Sequence, residues 1–265
     1  MNVSRTEIRF DDIEGGQVAH VALLGDKSLN VVDGDCLRGM AHDVAELCAR
    51  PDLRCVLLRG RDARAFIGGA NLDALHRLDR ASAAHFIGSV HDLCAVLRAA
   101  PVPIVAVLQG YCLGAGLEVA AACDMRIGDF SVACGMPEVR VGVPSVVEAA
   151  LLPGLIGWGK ARELMLRGHI IDARESHAIG LLQHLVESSS LDELAGQIAA
   201  DIVAGAPGAI AAQKRLFLAW EELPVSAAID RGVPAFVEAC SGEEPRRAID
   251  AFFALQRERK RQGRA

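Results

Sequence analysis

Residues 104–142 read IVAVLQGYCLGAGLEVAAACDMRIGDFSVACGMPEVRVG. Pro101 to Leu108 is a wholly apolar run and predicts a strand buried on both faces, with Pro101 and Pro103 stopping the helix before it. A glycine-rich turn follows, then an apolar helix from about Gly116, then a short strand over Met125 to Gly128. Strand, turn, helix and strand in this order is the pattern of a layered α/β protein.

The same alternation extends outward. Val18 to Leu24 and Arg54 to Leu58 read as strands, and between them Leu37, Met40, Val44, Leu47 and Cys48 recur at helical spacing within Gly34 to Arg50. A helix is predicted over Ala81 to Ala99, another over Gly159 to Leu166 entered from a Gly-Trp-Gly turn, and a short strand around Gly180 to Val186. From about Leu191 the chain reads as helical, broken near Gly205 to Gly208 and at Pro245. The expected organisation is an α/β core over residues 1–190, followed by a helical region over 191–265.

Composition limits the function classes. Of 265 residues 51% are hydrophobic but only 4% aromatic, so the core must be built from Ala, Val, Leu and Ile, with glycines where backbones approach closely. A formal net charge of −6 argues against nucleic acid and anionic membranes as partners. No run approaches the roughly 18 apolar residues of a membrane span, and the first residues carry mixed charge, so a cytoplasmic location is expected. The eight cysteines occur singly, with no CxxC pair and no nearby histidine at ligand spacing. They read as buried thiols, and no metal site is expected.

Two glycine-rich passages carry the chemistry: Phe66-Ile67-Gly68-Gly69-Ala70-Asn71-Leu72, and Gly110 through Gly114-Ala115-Gly116-Leu117-Glu118. Each lies between a strand and a helix, where free N–H groups point outward and suit an oxygen anion. Gly114-Ala115-Gly116 could open a dinucleotide-binding fingerprint, but the third glycine is replaced by Val119. Glu118 falls in the first turn of an otherwise apolar helix, and Glu138 follows Met136-Pro137 among apolar neighbours. Alone, each could be a capping or salt-bridged glutamate; together across a dry cleft, two carboxylates can hold a water, one taking its proton while the other delivers one.

These residues resemble the crotonase, or enoyl-CoA hydratase/isomerase, superfamily, most specifically over 104–142. Weaker resemblance covers Lys27-Ser28-Leu29-Asn30, Arg64 to Leu75, Ile171 to Gly180 and the Ala251-Phe252 region. The resemblance implies a crotonase-like α/β fold of repeated ββα units with a C-terminal helical region. It also implies an oxyanion hole formed by the N–H groups of Ala70 and Ala115, and catalytic Glu118 and Glu138. Substrate contacts are implied at Ser28, Leu29, Gly68, Asn71, Leu72 and Gly114. Hydratases of this superfamily carry both glutamates, whereas most double-bond isomerases match only at the Glu138 position, so hydration of an enoyl-CoA, as in fatty acid β-oxidation, is the expected reaction. A double-bond isomerase or a catalytically weak acyl-CoA-binding protein are the alternatives. The substrate is an acyl-CoA thioester and no further cofactor is implied.

The sequence departs from the family pattern at Asn71, where Asp is usual, and at Pro144-Ser145-Val146-Val147-Glu148, which replaces a glycine-rich stretch. Glu148 is either a third carboxylate near the site or a surface helix residue with an ion partner. Lys27, Arg64, Arg257 and Lys260 are candidate partners for the coenzyme phosphates. A homotrimer or dimer of trimers is implied by the resemblance. Phe217, Trp220, Phe236, Phe252 and Phe253 crowd a helical region too small to bury them all, which is consistent with that state, although these helices could instead fold back on the core.

Overall fold

A computed structural model describes residues 4–261, and the backbone divides into two compact units after Ile202. In the first unit β1 (Thr6–Ile13) and β2 (Gly16–Leu23) form an antiparallel hairpin. Asp33 caps α1 (Gly34–Cys48) by accepting from the Cys36 N–H, and β3 (Leu53–Gly60) then runs parallel to β2. The chain continues through β4 (Ala65–Ile67), α2 (Leu72–Leu75), α3 (Arg80–Ala99), β5 (Ile104–Leu108), β6 (Tyr111–Leu113), α4 (Ala115–Ala122), β7 (Met125–Asp129) and β8 (Ala133–Gly135). Two 3-10 turns, Glu138–Val141 and Val147–Leu151, lead to α5 (Leu152–Arg167), β9 (Ile170–Asp172), α6 (Ala173–Ala178) and β10 (His184–Val186).

The strands form two sheets, in the orders β1-β2-β3-β5-β7-β10 and β4-β6-β8-β9. Each of β3, β5 and β7 in the larger sheet hands the chain to β4, β6 and β8 in the smaller one. The first two of these steps then enter helices, which gives the repeated ββα unit. The core between the layers is aliphatic, as composition requires, with Leu58, Ile104, Leu108 and Leu117 fully buried and Phe66 its largest member. Buried Asn30 ties the layers together: its amide donates to the Leu23 and Phe66 carbonyls at 3.1 and 2.5 Å, and its oxygen accepts from the Gly25 N–H at 2.7 Å.

The second unit is helical, with α7 (Leu191–Ala204) crossing into it, then α8 (Pro207–Glu222), α9 (Val225–Ser241) and α10 (Glu244–Arg261). The helical region thus starts at Leu191, as the sequence reads, while the compact division falls later, inside α7.

Some expectations are corrected in detail. The strand before the glycine turn begins at Ile104 rather than Pro101, because neither proline can donate to a ladder. α5 begins at Leu152, well before Gly159, and bends at Gly157, whose φ of 76° is non-helical. Pro245 lies within the first turn of α10, where a missing N–H costs nothing, so the break precedes it. A further break falls at Leu223 and Pro224. Seven cysteines are buried as expected, but Cys240 is exposed.

Candidate active site

The smaller sheet delivers one wall of the site. β4 ends at Ile67, and the extended strand after it runs beside Val32, which forms an isolated parallel bridge with Ala70. The Val32 N–H donates to the Gly69 carbonyl at 3.0 Å, and the Asn71 N–H donates to the Val32 carbonyl at 2.7 Å. That register engages the groups flanking Ala70 and turns the Ala70 N–H to the opposite side, because successive amides of an extended chain alternate.

The second wall is the start of α4. Gly114, with φ 53° and ψ −121°, aims the chain into the helix, and its carbonyl accepts from Leu117 and Glu118 at 2.8 and 3.0 Å. Ala115 is the first helical residue, so its N–H has no intrahelical acceptor. The two walls meet because Gly116 has no side chain: a Cβ there would stand 2.2 Å from the Ile67 carbonyl oxygen. Any larger residue would drive α4 away from β4.

Ala70 and Ala115 line one cavity of about 860 Å³, together with Glu118 and Glu138. Leu29, Gly68, Asn71, Leu72 and Gly114 line it too, while Ser28 is exposed and does not. The sequence reading missed the contribution of α3, whose Phe86, Ile87 and Val90 supply much of the apolar surface. Their helical spacing was visible, but not the direction in which that face points.

One carboxylate is held from within the segment that departs from the family pattern and the other by the residue that follows it. Glu118 Oε1 accepts from the Ala149 N–H at 3.2 Å, and Glu138 Oε2 accepts from the Ser145 hydroxyl at 2.9 Å. The other Glu138 oxygen lies against Gly114, 2.6 Å from where a Cβ would be. Burial pushes the Glu118 pKa up to about 8, reinforced by the charges of Glu138 and Glu148 and opposed by the Ala149 hydrogen bond. Burial also raises Glu138 above the usual carboxylate range, against its hydrogen bond from Ser145. Two such neighbours titrate as a pair, and in neutral solution that pair retains a proton.

Of the two readings left open by the sequence, Glu148 fits the third carboxylate near the site rather than a surface helix residue. It is buried beside Glu118, and His91 Nδ1 lies 2.8 Å from its Oε1. Of the basic candidates, Lys27 lines the cavity but is held by Asp73 at 2.5 Å, and Arg64 is held by Asp62 at 2.5 Å. Arg257 is exposed near the end of α10, and the side chain of Lys260 lies outside the described residues.

With this geometry established, comparison with known proteins is informative. A family described as enoyl-CoA hydratase/isomerase matches residues 14–260. A short-chain-enoyl-CoA hydratase of Clostridium acetobutylicum is 30% identical over 239 residues, covering 90% of this chain and 92% of that protein. A cyclohexa-1,5-dienecarbonyl-CoA hydratase of Thauera aromatica is 37% identical over 158 residues, 60% of each chain. The crystal structure of an enoyl-CoA hydratase from Bacillus anthracis superposes with a TM-score of 0.88 at 23% identity, covering 95% of this chain and 97% of that one, and establishes the shared fold.

The buried glutamate has a consequence for stability. Folding raises the Glu118 pKa from 4.5 to about 8, so between those values the folded state binds more protons than the unfolded one. Its contribution is fully present below about pH 4.5 and is lost as pH rises toward 8. Glu118→Gln has no proton to lose, so its stability relative to the parent should improve between pH 5 and 8.5, by up to about 1.4 kcal/mol per pH unit across the window. Urea denaturation of both proteins at the two pH values measures this; a difference that does not change with pH would refute the burial argument.

Proposed function

This chain belongs to the enoyl-CoA hydratase/isomerase family, whose members act on acyl-CoA thioesters, and from that premise we propose that it is an enoyl-CoA hydratase. The observation that carries the reading is the convergence on one apolar cavity of buried Glu118, half-buried Glu138 and two N–H groups without acceptors among the described residues.

In this reading the thioester carbonyl oxygen sits between the N–H groups of Ala70 and Ala115. The oxygen of a water bonds to C3 while Glu118 takes a proton from it. Electron density from the double bond moves onto the carbonyl oxygen as an enolate, and Glu138 delivers a proton to C2 as that charge returns. The pair begins and ends with one proton. Of its two one-proton forms, the reactive one carries the proton on Glu138 and leaves Glu118 ionised beside the Ala149 N–H. Turnover moves the proton to Glu118, from which a bridging water returns it to Glu138 for the next cycle. Fixed backbone donors suit the oxyanion because they need no reorganisation, and each is worth roughly 10²–10³ in rate in comparable sites. The positive end of α4 adds to that stabilisation. The chemistry requires nothing beyond the coenzyme A carried by the substrate. Phe86, Ile87, Val90 and Val146 favour a neutral, apolar acyl group.

The double-bond isomerase of the same family needs only one carboxylate to carry a proton between C2 and C4, and it leaves Glu118 without a role. Both Glu118→Gln and Glu138→Gln should lower hydration of short and aromatic enoyl-CoA thioesters by several orders of magnitude while folding is retained. Loss of the conjugated absorbance measures the rate, and chromatography identifies the product. Near-parental turnover in either variant, or a shifted double bond in place of a 3-hydroxyacyl product, would overturn the hydratase assignment.

We also propose that the protein is a homotrimer or a dimer of trimers. Val225, Ile229, Val233 and Phe236 recur along one side of α9 and are 65–78% exposed, a stripe that is costly to leave in water. Light scattering at micromolar concentration should give three or six times the 28.1 kDa chain mass, and a monomer mass would refute the proposal.

A further inference from the structure

The glycine-rich loop expected after Gly142 is replaced by one that ends in the tight turn Val147–Leu151, and this turn does two things within two residues. Glu148 sends its side chain into the protein, and Ala149 offers its N–H to Glu118. The Glu148 side chain is 8% exposed, and Oε1 is engaged by His91 Nδ1 at 2.8 Å. Its other oxygen is buried without a well-formed hydrogen bond, with the Cys94 thiol beside the carboxylate. His91 belongs to α3, is 59% exposed, and follows Val90, which lines the cavity. The turn is entered through Val147 at φ 38°, a left-handed conformation that a β-branched residue adopts only where its surroundings impose it.

These facts define a mechanical arrangement. The 3-10 turn has no side-chain cap, and it is entered through a residue whose left-handed conformation its surroundings must hold in place. Ala149 is buried in the core and Val147 and Leu151 pack against it, and the side-chain hydrogen bond that ties the turn to α3 is the one between Glu148 and His91. A buried carboxylate with one partner depends strongly on that partner, because removing it leaves the charge uncompensated. One residue further on, the Ala149 N–H is shared between the Val146 carbonyl at 2.9 Å and Glu118 Oε1 at 3.2 Å, so the geometry of the turn sets how well it reaches the buried carboxylate.

We propose that His91 and Glu148 are positioning residues for Glu118: their hydrogen bond locks the Val147–Leu151 turn so that the Ala149 N–H holds the Glu118 carboxylate where it meets water. This rests on the role given to Glu118 above. The charged and titratable groups facing Glu118 are Glu138 from the first 3-10 turn, Glu148 from the second and Cys94 from α3; those facing Glu148 are His91 and Cys94 from α3 and Glu118 from α4. Neither His91 nor Glu148 is needed for binding the thioester, so their loss should appear in the chemical step.

The test compares His91→Leu, His91→Asn and Glu148→Gln with the parent on the best enoyl-CoA substrate, separating kcat from KM. His91→Leu removes the donor, and should lower kcat by about ten- to a hundredfold with KM within about twofold, the scale of a displaced catalytic group. His91→Asn places an amide N–H near the Nδ1 position and should recover most of that loss. Glu148→Gln removes the charge and should behave like His91→Leu. When His91→Leu is combined with Glu118→Gln, the residual turnover should fall no further, because the hydrogen bond acts through Glu118. A kcat within twofold of the parent in both His91→Leu and Glu148→Gln would overturn the proposal. So would equal losses in the Leu and Asn variants, or losses that multiply in the double variant. Failure of the hydratase reading itself is distinguishable, since Glu118→Gln alone would then retain turnover.

Discussion

Everything at this site depends on keeping the Glu118 carboxylate out of water. All eight residues of α4 are buried, and Glu118 is the one ionisable side chain among them. An isolated buried carboxylate is costly, and the protein lowers that cost with one backbone hydrogen bond from Ala149 rather than with a cation. A lysine or arginine at that position would have driven the pKa down and fixed the negative charge. The hydrogen bond leaves Glu118 with a pKa near 8, able to gain and lose a proton in neutral water.

The fold serves this constraint through close approach. Short strands passed from the larger sheet to the smaller one set the segment after β4 beside the start of α4, and Gly116 lets the two backbones come within contact. Hydrogen bonds in that arrangement are consumed on the far side of Ala70 and inside α4, which leaves two N–H groups directed at one cavity. The loop after Gly142 then closes over the carboxylates, giving Ser145 to Glu138 and Ala149 to Glu118. A stable scaffold and a reactive pair thus come from the same contacts.

Much of this was legible in the sequence. Apolar runs and helical spacing located α1, α3 and the strands of the larger sheet except β1, and the turn from Gly110 to Glu118 announced the site. The smaller sheet was not legible, because β4, β6, β8 and β9 are each three residues long and too short to show a period. β1 escaped because an edge strand rich in charge, Thr6-Glu7-Ile8-Arg9-Phe10-Asp11-Asp12, lacks an apolar run. Glu118 and Glu138 stood out as acidic residues in apolar surroundings, but Ser28, placed by resemblance, lies away from the cavity. The partners of the two glutamates, and the pairing of His91 with Glu148 across 57 positions of chain, are tertiary facts with no local signature. The departure from the glycine-rich pattern at Pro144 to Glu148 was the one visible sign that this loop does something particular.

The central claim is that the two glutamates work as a pair sharing one proton, and the pH dependence of kcat/KM for hydration tests it most directly, since it reports ionisations of the free enzyme. The account predicts a bell-shaped profile: the rate falls tenfold per unit above about pH 8, as the pair loses its last proton, and falls again on the acid side, where both carboxylates are protonated and neither can take a proton from water. A rate that stays level through pH 9.5 would contradict it, because a pair with no proton to deliver could not protonate C2.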